Sequence, residues 1–270
     1  MTDRINTEDM KKFEATYKIG LVATLENSGE PHISLLSTIM AKSDTEMMLG
    51  KFIVGESKEN LLRDPKAGFL IMSLEKEFWT GKMTYTHLLT NGEDYDLYNR
   101  QPLYRYNSYF GIDSVYYFDL AGISERKELD MAGVVANSLR VMLVRGRYKQ
   151  NTSQGAMKHW ALELMRNIGT LSFLSYVDKD GYPVIIPCIQ LQAADADTLV
   201  LSNAPYKAEL SEIPEGARVA VFGVNLKFES VLLKGVFSGF KRGIATVKID
   251  RVYNSMPPKH GYIFETTEPA

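Results

Sequence analysis

The chain has 270 residues, enough for one large domain or two of ordinary size. Its apolar share of 45% and charged share of 24% are those of a globular protein, and a formal net charge of −2 supplies no strong field for nucleic acid or an anionic membrane. No run of eighteen apolar residues occurs and the charged start MTDRINTEDMKKFE has no signal-peptide core, so neither a spanning helix nor export is expected and the cytoplasm is the expected address.

In chain order, the first expected element is an amphipathic helix with Met10, Phe13 and Tyr17 at i, i+3 and i+7. KIGLVATLENSGEPHISLLSTIM follows as two strands about a Gly29-Glu30-Pro31 turn. Next come an acidic turn from Lys42 to Thr45, another strand, a short helix and the apolar strand AGFLIMS. The short helix, in GESKENLLRDP, takes Ser57 as its cap and stops at Asp64-Pro65. From Thr84 to Leu120 the sequence is of another kind. Seven tyrosines fall between Tyr95 and Tyr117, with Arg100 and Arg105 among them, and SVYYFDLAGI closes the segment as a strand. Residues 124–152 read as a connecting helix capped by Ser124, although LRVMLV also fits a strand.

A second amphipathic helix is expected with Ser153 as cap and Met157, Trp160, Ala161, Leu164, Met165 and Ile168 on one face. After it the first pattern returns. NIGTLSFLSYVDKDGYPVIIPCIQL has its turn at Gly181-Tyr182-Pro183, an acidic turn spans Ala194 to Thr198, a helix stops at Ile213-Pro214, and ARVAVFG follows. Ile19-Gly20 and Ile168-Gly169 are read as the starts of the two copies. The chain is therefore a helix-plus-sheet unit built twice, with expected boundaries at 1–123, 124–152 and 153–270. Short connections and frequent turn signals favour antiparallel sheets closed as small barrels over βαβ units.

Common catalytic templates are absent: no G-x-G-x-x-G after a strand, no Walker A sequence and no G-x-S-x-G elbow. His32, His87, His159 and His260 have no His or Cys partner at metal-ligand spacing and are read as surface or turn residues. Cys188, the sole cysteine, excludes an intrachain disulfide and reads as a small buried apolar residue. What remains is the start of the short helix. Unpaired N–H groups and the helix dipole favour an anion there, and Lys58 and Lys51 add positive charge; the same stretch also reads as an ordinary capped connector.

The run from Ile19 to Ser73 resembles the FMN-binding split β-barrel of the pyridoxamine 5'-phosphate oxidase-like superfamily, especially its flavoredoxin and small FMN-binding-protein branches. The resemblance rests on IGLVATLENSGEPHISLLSTIM, MMLGKF and SKENLLRDPKAGFLIMS, in the order strand, Gly-x-Pro turn, strand, strand, helix with Asn-Leu, Asp-Pro, strand. It implies a mainly β fold with flanking helices, two tandem split β-barrels forming an intrachain pseudo-dimer, and FMN in the crevice between them. Ser37, Thr38 and Ile39 would follow the isoalloxazine edge. Gly50, Lys51, Ser57, Lys58 and Asn60 would hold the phosphate end, with Lys82 a further contact. The family often has a basic residue three positions before the Asn of the Asn-Leu pair; Ser57 stands there, and Lys58 follows it. In copy two the equivalents are Tyr206 and Lys207, less like a phosphate cradle, so FMN is expected at the first copy.

The expected function is an FMN-dependent oxidoreductase that passes hydride or electrons through the flavin, with a small-molecule substrate or electron donor as partner and no catalytic acid or base required. Arg100 and Arg105 are candidate contacts for an anionic substrate, and the tyrosines are read as packing the two copies together. No nucleic-acid or membrane partner and no metal is expected, and a homodimer is left open. The alternative is a non-catalytic binding or regulatory protein on the same scaffold. Haem binding, which would need an axial ligand such as His260, ranks below both.

Overall fold

The computed structural model describes residues 1–15, 17–51, 56–101, 111–150, 155–227, 229–254 and 261–265. Runs rich in β-branched and aromatic residues form two eight-stranded sheets, in which the hydrogen-bonded pairs with a given register are all antiparallel. The first holds β1 (Ile19–Leu25), β2 (Pro31–Leu35), β3 (Ile39–Ala41), β4 (Glu46–Lys51), β5 (Lys66–Met72), β6 (Glu77–Leu89), β7 (Ser114–Ile123) and the short β8 (Lys127–Glu128). Its order is β2-β1-β5-β6-β7-β4-β3, with β8 on β6. The second holds β9 (Leu171–Val177), β10 (Pro183–Pro187), β11 (Gln192–Ala193), β12 (Thr198–Ser202), β13 (Arg218–Val224), β14 (Ser230–Phe237), β15 (Ile244–Asn254) and β16 (Gly261–Glu265). Its order, β10-β9-β13-β14-β15-β12-β11, is that of the first, with β16 on β15. The two curled sheets are the split barrels expected from the sequence.

The copies keep one register. Gly29 and Gly181 hold the same place in the two hairpins at φ of 78° and 79°, a left-handed conformation that glycine adopts without steric cost. Leu36 N–H donates to Gly20 O and Cys188 N–H to Ser172 O, at 2.7 and 2.8 Å. The counterpart of Ile19-Gly20 is therefore Leu171-Ser172. Ile168-Gly169, read from the sequence as the start of copy two, lies in a turn before β9 with Ile168 exposed.

Six α-helices are described: α1 (Thr7–Phe13), α2 (Glu56–Arg63), α3 (Glu93–Arg100), α4 (Met131–Val144), α5 (His159–Arg166) and α6 (Lys207–Ser211). The first stops at Phe13, so Tyr17 falls outside it and is exposed. Asp130, not Ser124, caps α4, accepting from Gly133 N–H, and LRVMLV is helical, laying Val141 on Ala194, Val200 and Ile244. Ala161, Leu164 and Met165 of α5 are buried as its pattern requires, while Trp160 and Ile168 are exposed. The proposed cap Ser153 lies outside the described residues; Lys158 occupies the cap position of α5 without a side-chain bond.

The chain divides into two compact units. The first comprises Met1–Gly29, Ser34–Leu129 and Gly181–Val184; the second comprises Glu30–Ile33, Asp130–Asp180 and Ile185–Ala270. The first unit's core gathers Val22, Phe69, Trp79, Met83, Tyr116 and Phe118 from both ends of its sheet. In the second, Phe173, Phe222, Leu233 and Val247 are fully buried.

Candidate functional site

In the first unit the candidate residues lie on β3, β4, α2 and the turn before β3. A close crossing sets this turn. A Cβ on Gly20 would meet Ile39 Cγ2 and Leu36 O at 2.7 Å, so only glycine lets the turn lie on β1. Thr38 then donates its hydroxyl to Gly50 O at 2.5 Å. Ser37, beside it, is half-buried, and Ile39 is fully buried in the core.

The helix α2 begins at Glu56, so Ser57 lies inside its first turn instead of capping it. Its hydroxyl is 2.8 Å from that of Ser34. Asn60, also buried, donates from Nδ2 to Thr24 Oγ1 at 3.0 Å and ties the helix to β1. Lys58 is exposed. Glu56 and Glu59 occupy the same turn, where carboxylates complement the helix dipole, so the turn carries more negative than positive formal charge. Lys51 ends β4 opposite Ser114; its side chain lies outside the described residues.

The Thr38–Gly50 contact is covered by α3, which the sequence reading did not find. Gly92 precedes it, Glu93, Asp94 and Asp96 open it, and Arg100 stands in its last turn. That charge order, acidic first and basic last, is the signal that was available. Tyr98, fully buried, lays its ring on Gly50, where an added Cβ would meet ring carbons at 2.9–3.1 Å. Its hydroxyl donates to Thr38 O at 2.7 Å. Asp94 anchors the helix, accepting from Lys42 Nζ at 2.6 Å and from the Tyr117 hydroxyl at 2.9 Å. Burial, and then this carboxylate, push the Tyr117 phenol up to about 12. Tyr98 and Tyr117 are thus part of a core cluster within the first unit, with Tyr95 packed on it.

Arg100 is exposed and 3.6 Å from Asp96 on its own helix, an i,i+4 pair. Arg105 and His260 lie outside the described residues. Lys82 is half-buried, its ammonium 5.6 Å from the centre of the Tyr182 ring, with Lys66 at 5.1 Å; the Tyr182 hydroxyl is 2.8 Å from Thr84 Oγ1.

The second unit repeats the arrangement with other side chains. Gln190 holds the place of Thr38 and donates to Ser202 O at 2.8 Å, as Thr38 does to Gly50 O. Here α4 provides the cover: Asn137 Oδ1 accepts from the Ser202 hydroxyl at 2.9 Å. Tyr206 is buried before α6, and burial pushes its phenol up. Cys188 is wholly buried, which raises its thiol far above the ordinary range and keeps it protonated, consistent with its reading as a small apolar residue. His32, read as a surface or turn residue, is buried, its ring edge-on to Tyr253 with centres 4.8 Å apart.

For a flavin, the helix end offers fitting groups, two hydroxyls and the exposed Lys58 chain, whereas Tyr98 covers the Thr38 and Gly50 backbone where a ring edge would lie. No protein-family model and no curated protein matches the chain. The chain is similar to several proteins of known structure. One is an FMN-binding protein from Syntrophomonas wolfei, at 16% identity and a TM-score of 0.38 over 45% of this chain and 86% of that one. A second is HupZ of Group A Streptococcus, at 17% and 0.36 over 44% and 92%. A third is a FAD-binding protein from Mesorhizobium loti, at 13% and 0.32 over 45% and 94%. Each match spans a little under half of this chain and most of the other.

Proposed function

We propose that the chain is an FMN-binding protein acting as an oxidoreductase, with the phosphate end of the flavin at the start of α2 in the first unit. The observation that carries this reading is the contact between the hydroxyls of Ser34 on β2 and Ser57 in the first turn of α2, 2.8 Å apart, with Lys58 exposed next to Ser57. It places two hydroxyls near a helix start whose N–H groups favour an anion. When bound, FMN supplies the hydride or electron chemistry, and no acid or base from the chain is needed for it. The chain's own part is positional: Ser57 and Lys58 would hold the phosphate, and Ser37 with the Thr38 and Gly50 backbone would meet the ring edge once Tyr98 leaves it.

The test is the visible spectrum of the purified full chain, followed by FMN titration of the wild type and of a Ser57→Ala/Lys58→Ala double variant. Bands near about 370 and 450 nm, and a double variant that binds FMN at least about tenfold more weakly, are expected. Undiminished affinity in the variant would remove the phosphate assignment.

A second reading, a non-catalytic binding or regulatory scaffold, is favoured by one observation: Thr38, Asn60 and Tyr98 already spend their polar groups within the unit. A colourless protein whose melting temperature does not move at saturating FMN would decide for it, since a ligand specific for the folded state must stabilise that state.

A further inference from the structure

The helix α4 is apolar on both faces. Its inner face is accounted for: Val134, Ser138 and Val141 are buried, Val141 packs with Ala194, Val200 and Ile244, and Gln192 Nε2 donates to Ser138 O at 2.9 Å. Its outer face carries Met131, Val135, Leu139, Met142 and Leu143, exposed by 39–79%. Spacings of four, four and three residues put the first four in one stripe along 12 of the 14 helix residues, about 18 Å. Arg140 is the one charged residue exposed on the helix. It turns sideways, donating to Arg242 O at 3.0 Å, and so leaves the stripe apolar. A helix exposing this much contiguous apolar surface marks an interaction site.

We infer that this stripe binds the same stripe of a second copy of the chain, as an antiparallel helix pair. Charge selects a second copy. Asp130 begins the helix, and exposed Arg147 and Lys149 lie just past its end, with Arg145 between. An antiparallel pair brings the acidic start of each helix to the basic end of the other, twice, whereas a parallel pair sets like charges together. The exposed part of the whole outer face, Leu143 included, is on the order of 500 Å² per copy, so a pair buries at most about 1,000 Å², near the lower bound for a specific interface. The dimer is therefore reversible rather than obligate.

Sedimentation velocity of the full chain over a wide concentration range tests this. The wild type should pass from monomer to dimer as concentration rises. Leu139→Arg, or Val135→Glu should the first variant fail to fold, should weaken association at least about tenfold with an unchanged melting temperature, and Arg147→Glu should weaken it by less. A wild type that stays monomeric, or a Leu139→Arg dimer as strong as wild type, overturns the inference. So does a variant that lowers the melting temperature without changing the association, since the stripe is then covered by the chain itself. Flotation with phosphatidylglycerol vesicles that depends on Leu139, in a chain that stays monomeric, would assign the stripe to a lipid surface instead.

Discussion

Lys18 shows what burial does to a single charge. It is 7% exposed, and its ammonium donates to Ala15 O at 2.5 Å, with no carboxylate in support among the described residues. Desolvation lowers its pKa from 10.5 to about 8. Between those two values the unfolded chain holds more protons than the folded one, so stability must rise as pH climbs from about 8 toward 10.5. The gain attributable to Lys18 is about 3 kcal/mol. Urea unfolding at several pH values, compared with Lys18→Met, measures it: the rise should be present in the wild type and missing in the variant. If the two curves stay parallel, Lys18 is hydrated in the folded state. Residue-scale features of this kind were only partly legible in the sequence. Cys188 showed its nature through its apolar neighbours. Ser57 was misplaced because a polar residue before a helical run looks the same whether it caps the helix or stands in its first turn. His32 looked like a turn residue because it follows Gly-Glu-Pro, and its burial against Tyr253 depends on a partner more than two hundred residues away.

At the scale of elements, α3 decides whether the first unit can take a ring. Tyr98 and Gly50 are matched parts. The glycine makes room for the phenol, and the phenol hydroxyl satisfies Thr38 O. Gly50→Ala should cost about 2 kcal/mol by overpacking, and Tyr98→Ala about 3 kcal/mol or more by leaving a cavity. In the double variant the alanine methyl occupies the emptied space, so the combined loss should fall short of the sum by about 1 kcal/mol or more. Chemical denaturation of the four proteins gives that coupling, and strict additivity would mean that the two residues do not share the space. Strands and their turns were readable because alternation, Gly-x-Pro and Asp-Pro are local signals. The cover provided by α3 and α4 was not, because periodicity reports that a helix has an apolar face and not which surface receives it. In LRVMLV the ambiguity was real: a run apolar on every side fits a buried strand as well as a helix, and only its packing across β11 and β12 resolves it.

For the whole molecule, the telling fact is the composition of the units. The first contains Gly181–Val184 and the second contains Glu30–Ile33, so each compact unit includes the hairpin turn that the other copy's sequence encodes. Within the first unit this turn is built in. Pro183 O lies so close to the Cα of Gly68 that no side chain fits there, and Tyr182 lies under the ammonium groups of Lys66 and Lys82. Within the second, the Glu30 carboxylate is held by Arg218 at 3.1 Å and by Arg251. The internal repeat was visible in the sequence, but this sharing was not, since two similar turns carry no mark of the unit they enter. It implies that a copy cut out along the repeat boundary is incomplete. Residues 1–129 expressed alone lack the Tyr182 turn and leave Lys66, Lys82 and the Gly68 backbone without it. A deficit of about 3 kcal/mol would lower the melting temperature of a unit this size by roughly 10 °C. Trp79, buried in the first unit's core, reports the melting of that unit, and Trp160→Phe removes the other tryptophan from the full chain for comparison. If Trp79 fluorescence melts at the same temperature in the fragment and in the full-length Trp160→Phe chain, the first unit stands without the borrowed turn, and the shared composition is geometry without energetic consequence.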